Sequence, residues 1–188
     1  HNFAQGKSII RIENPSNIGD GKFIFTGHDE GDISSWVNSE VPNNDTNIVR
    51  LTREWRVDKQ GGDIGTIDII IDTSQFGNYS ADYSAFVILI DDDGDFSSGS
   101  RAIELQDAGP GYLQSAGTNF TKGEYFTFAR VKPAIEFSLA SSDGMEDIGT
   151  ADNGIRMNYA SNSDVTVEYQ SANGTADKDQ VPVGDYNE

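Results

Sequence analysis

Four aspartates within five residues, Asp91, Asp92, Asp93 and Asp95 around Gly94, are the sharpest chemical signal in the sequence. Carboxylates at positions 91, 93 and 95 alternate as calcium loops require, and hard oxygen donors of this kind suit Ca2+. Gly94 permits the tight turn that would gather them. The loop departs from the EF-hand pattern, because Phe96 stands where that pattern needs glycine and the twelfth position is Ala102 instead of glutamate. Two readings stay open: a calcium turn with Asp91, Asp93 and Asp95 as ligands, or a solvated acidic hairpin tip after a buried strand.

Other residues offer less. His28 lies beside Asp29, Glu30 and Asp32, a set that could serve acid–base or metal chemistry, but a lone histidine in a glycine-bounded turn reads first as a hydrogen-bonding loop residue. The chain has no cysteine, two histidines and no Gly-x-Ser-x-Gly elbow, which leaves little for nucleophilic catalysis. Carboxylate pairs of the glycosidase type are available in number, yet no pair is singled out. The expectation is a protein that is not an enzyme. Two tryptophans could stack against sugars; Trp55 shares parity with Leu51 and Val57 and reads as core, whereas Trp36 sits among polar residues and reads as surface.

The elements that must position these residues are strands. Leu51, Arg53, Trp55 and Val57 alternate, as do Ile67, Ile69 and Ile71, and Val165, Val167 and Tyr169. Ala85 to Ile90 is a continuous apolar run that ends at the acidic loop, the pattern of a strand buried on both faces. Glu124 to Ala129 forms another after the Lys122-Gly123 turn. Turn clusters at 18–21, 42–45, 60–63 and 108–111 separate the runs, and no segment carries the apolar stripe of a long helix. The class is all-β, with tandem antiparallel β-sandwiches, the second incomplete. The break at Val131-Lys132-Pro133 sets the domains at 1–131 and 132–188.

Composition narrows the partners. The 188 residues hold 31 acidic against 13 basic side chains, a formal net charge of -18. Phosphate backbones need basic patches, so nucleic acid is a poor partner. Self-repulsion on this scale weakens the compact state unless cations sit among the carboxylates, and divalent metal is the obvious remedy. No stretch approaches the ~20 apolar residues of a membrane-spanning helix.

Residues 24–131 resemble an uncharacterised β-sandwich family of large bacterial surface proteins, particularly those of the Bacteroidota exported by type IX secretion. Phe25 to Gly31, Leu51 to Val57, Leu89 to Phe96 and Gly123 to Thr127 carry the resemblance in order and spacing. From Ile135 onward the chain resembles the opening half of a Calx-beta domain, an immunoglobulin-like sandwich, through Ile135-Glu136-Phe137-Ser138, Gly144-Met145-Glu146, Asp164 to Tyr169, Gly174-Thr175-Ala176 and Gly184-Asp185-Tyr186. A sandwich of this kind needs ~100 residues, so the second domain is expected to lack its later strands. By that resemblance Glu146 and Asp185 match positions that can ligate calcium.

Together these imply a calcium-stabilised structural or adhesive module of a secreted or cell-surface protein, whose partners are neighbouring domains and surface glycans. The alternative is a carbohydrate-binding module attached to such a protein.

Overall fold

Isoleucine, valine and aromatic side chains at every second position bury one face of each strand and leave the other to cover or to solvent. The computed structural model describes residues 9–138, 154–160 and 165–168. The chain divides into two compact units, His1–Pro133 and Ala134–Glu188. Regular structure among the described residues consists of thirteen strands and two 3-10 turns, at Pro42–Asn44 and Thr73–Gln75. All strand pairs are antiparallel, and the all-β class follows.

The first unit packs two sheets. One runs β1 (Ile10–Glu13), β6 (Ile67–Asp72), β10 (Tyr112–Thr118), β9 (Gln106–Asp107). The other centres on β11 (Tyr125–Val131), which pairs along its whole length with β7 (Ala85–Asp91), itself flanked by β8 (Arg101–Glu104). The opposite side of β11 is shared by β4 (Ile48–Leu51) and β5 (Trp55–Gln60). The two-residue β3 (Trp36–Val37) borders β4, and β2 (Phe23–His28) borders β5.

The core lies between the sheets. Ile67, Ile69 and Ile71 of β6 face Leu51, Trp55, Val57, Ile88, Ile90, Phe126 and Phe128, with Phe76 and Phe120 closing the sides. Trp55 stacks on Phe126 with ring centroids 5.6 Å apart and meets Phe128 edge-on at 5.3 Å. β7 is buried on both faces, as its unbroken apolar run requires. Segments 38–47 and 92–100 meet where the Asn43 amide donates to the Ser97 carbonyl, and Val41 and Phe96 are fully buried in them.

Leu51 to Val57 reads as one alternating run, but the structure interrupts it at 52–54. The loop after β2 takes the hydrogen bonds there: Asp29 Oδ1 accepts from the Glu54 amide, Thr52 Oγ1 donates to the Asp32 carbonyl, and Arg53 Nε donates to the Gly31 carbonyl. Thr127, wholly buried in β11, spans the gap by donating its hydroxyl to the Arg53 carbonyl at 2.8 Å, with the Leu51 carbonyl at 3.3 Å.

In the second unit, β12 (Ile135–Phe137) pairs with β13 (Ile155–Met157), and Arg156 reaches Glu136 across the pair at 3.0 Å.

Candidate functional site

The acidic loop grows from the end of β7, where Asp91 is 5% exposed. Asp91 Oδ1 accepts the amides of Asp93 and Gly94, Asp93 Oδ1 accepts that of Asp95, and Asp95 Oδ1 accepts that of Ser97. Each carboxylate thus closes the turn that comes after it. Gly94 adopts a φ of 91°, a conformation that a side chain would strain. Burial pushes the Asp91 carboxyl above its ordinary range and the Asp93 side chain adds to the shift, against the opposing pull of the Asp93 and Gly94 amides. Asp95 is held below it, chiefly by Ser97 and to a lesser degree by the charge of Arg50.

Arg50 is the residue that sequence reasoning missed. Its side chain is 4% exposed on β4, with the guanidinium 5.4 Å from the Phe96 ring centroid. It donates to Glu54 Oε1 at 3.0 Å, to the Ser39 and Leu51 carbonyls at 3.1 Å, and to Glu40. Burial still raises the Glu54 carboxyl, against the opposing pull of Arg50. Positive charge beside the acidic loop is therefore built into the chain. Among the described residues no three His, Cys, Asp or Glu side chains are grouped to hold a metal ion. Glu146 and Asp185 lie outside the described residues.

The His28 segment is a chain of turn-forming contacts. His28 Nδ1 accepts the Glu30 amide, Asp29 Oδ1 accepts the Gly31 amide, and Asp32 takes both Ser34 and Ser35 hydroxyls. The Ser35 hydroxyl, followed by Ser34, lowers the Asp32 carboxyl to about 2.

Trp55 lies in the core, as its parity implies. Trp36 does not stand free on the surface. Its Nε1 donates to the Gly77 carbonyl at 2.8 Å, Phe76 and Phe86 meet its ring edge-on, and the Arg130 guanidinium lies 5.0 Å above it. Its polar sequence neighbours misled because β3 sits at the rim of the core, where two residues suffice to bring the indole inward.

Phe23 and Phe25 are the most exposed aromatic rings among the described residues of the first unit, at 55% and 53%. Two residues apart on β2, they share its outer face, with centroids 6.1 Å apart and planes inclined by 26°. Register places Gln60 opposite Phe23, Asp58 opposite Phe25 and Arg56 opposite Gly27. Lys122 Nζ lies 3.0 Å from Asp58 Oδ1, and Arg56 covers the Tyr125 ring at 5.4 Å. Phe25, Gly27, Arg56, Asp58, Lys122 and Gly123 line a depression of about 420 Å³. A larger opening of about 770 Å³ separates edge strands β1 and β2, over Ile10, Ile12, Ile24, Ile64 and Ile67. The Phe-Ile-Phe run carried the signal, but a run apolar on both faces reads as buried, and sequence does not say that this strand is an edge.

The profile of one protein family, described as a domain of unknown function (DUF8202), matches residues 4–124. No curated protein and no solved structure matches the chain.

Proposed function

Since the chain belongs to the DUF8202 family, a domain of unknown function, we propose from its geometry that it is an adhesive β-sandwich module of a secreted or cell-surface protein. The stacked, half-exposed Phe23 and Phe25 carry this reading. Apolar side chains removed from water contribute roughly 25 cal/mol per Å², and co-facial rings on an otherwise polar sheet face are a surface that gains by being covered. The resemblance to large surface proteins supports an extracellular setting, and the absence of cysteine does not oppose it.

Chain immobilised on beads should retain whole bacterial cells or surface material shed from them, and Phe23→Ala/Phe25→Ala should abolish most of the retention without altering the circular dichroism spectrum. Equal retention by the variant would overturn the reading.

Calcium is a second reading, favoured by the pairing of buried Asp91 with Asp93. These two and Asp95 follow one another in the loop after β7, and an ion would have to draw them together, since they are not grouped in the structure; by resemblance Glu146 and Asp185 would belong to a separate site in the second domain. A divalent ion there would offset the burial and like charge that raise the Asp91 carboxyl.

A further inference from the structure

We infer that the outer face of β2 and β5 is a binding site for a neutral polysaccharide, an inference that rests on the adhesive reading above and names its ligand. A pyranose ring has an apolar C–H face and a hydroxyl rim. A site for it needs flat aromatic surface with hydrogen-bonding side chains alongside, and not a deep apolar pocket.

This face has that composition. Phe23 and Phe25 stack on each other with planes inclined by 26°, and each ring stays more than half exposed, so aromatic surface is open to a C–H face. Gln60, Asp58 and Arg56 stand directly across from positions 23, 25 and 27, where they could meet the hydroxyls of a sugar lying against the rings. Lys122 holds Asp58 in place at 3.0 Å.

Gly27 supplies a second observation. A Cβ built there meets nothing within 4 Å, and its position opens the depression beside Phe25. The missing side chain leaves room on the same face as the rings, where the next sugar along a chain would lie.

Other occupants fit less well. A stable protein interface covers roughly 800 Å² on each partner around several apolar anchors, more than two rings and a shallow depression provide. The net charge of -18 opposes polyanions and anionic membranes. A second copy adding to the open edge of β2 would use backbone groups and leave the face uncovered.

Affinity electrophoresis in gels containing soluble mixed-linkage β-glucan, xylan, mannan or alginate tests the inference, alongside the bead-retention assay. Expected is retardation by at least one neutral polymer, weakened roughly tenfold or more in Phe23→Ala/Phe25→Ala. Gly27→Val, whose Cβ has space and whose branched side chain suits a strand, should weaken binding similarly at an unchanged melting temperature.

Retention on beads without retardation by any neutral polymer would overturn the inference and leave the adhesive reading standing, whereas loss of both would end both. Retardation by alginate alone, weakened by Arg56→Ala and by salt, would assign an anionic ligand and overturn it. A dimer in sedimentation that Phe23→Ala/Phe25→Ala dissolves would assign the face to a second copy, with the same consequence.

Discussion

Of the arginines of the first unit that sit against aromatic rings, Arg50 and Arg130 have surroundings that set opposite roles. Arg50 is buried with carboxylate partners Glu40 and Glu54 and two carbonyls, so deleting its charge leaves those groups facing one another. Arg130 lies 4.4 Å over Phe86 and 5.0 Å over Trp36, with no carboxylate partner among the described residues, and burial lowers its pKa. Arg50→Met should therefore lower stability by about 2 kcal/mol or more. Arg130→Met should change it by less than about 1 kcal/mol, because the guanidinium acts there as a flat cover that methionine can replace. Urea titrations compare the two, and equal losses would refute the distinction.

Asp91 gives a pH-dependent counterpart. Its folded carboxyl is raised, first by burial, so the stability tied to its protonated form is full below the ordinary carboxylate pKa of about 4 and is lost as pH rises through the folded value. Asparagine keeps an oxygen for the Asp93 and Gly94 amides. In chelator, Asp91→Asn should melt higher than the parent near pH 7, and the difference should vanish near pH 4. Calcium should raise the parent's melting temperature more than magnesium does, and Asp93→Asn should remove the calcium-specific part.

Among the elements, the interrupted edge of β11 shows how a side chain can complete a sheet. Where β4 ends and β5 has not begun, Thr127 provides the hydrogen bond that strand backbone would otherwise provide. Thr127→Val preserves shape and β propensity but leaves the Arg53 carbonyl without that donor. A loss of about 1–3 kcal/mol is expected, and an unchanged denaturation midpoint would show that the hydroxyl is dispensable.

Much at this scale was legible. Ile67, Ile69 and Ile71 announce a half-buried strand, and Ala85 to Ile90 a doubly buried one, because alternation and continuous apolarity arise directly from the side-chain period of two. The break at 52–54 was not legible, since Leu51, Trp55 and Val57 keep the same parity across it and the cause lies in a loop twenty residues away in sequence. The exposed face of β2 escaped for a related reason. Whether Phe23 and Phe25 meet core or solvent depends on what packs over the strand, which periodicity does not report.

For the whole molecule, the distribution of apolar surface separates the two units. Every member of the hydrophobic cluster lies between Ile9 and Phe128, so the first unit contains its own core. The described residues of the second leave Ile135, Phe137, Ile155, Met157, Val165 and Val167 substantially exposed, with Phe137 at 63%. An unfolding transition reports the core that is lost, and residues outside that core add little to its cooperativity. A chain ending at Pro133 should therefore melt in a single transition within about 3 °C of the full chain's main transition, a margin equivalent to under about 1 kcal/mol for a domain of this size. Dyes that fluoresce on exposed apolar surface should bind the full chain more strongly than the shortened one, since the shortened chain lacks the six exposed apolar side chains. Phe23 and Phe25 remain in both, so their contribution cancels in the comparison. A shortened chain that melts far lower, or that binds as much dye as the full chain, would show that the first unit depends on the second for its stability.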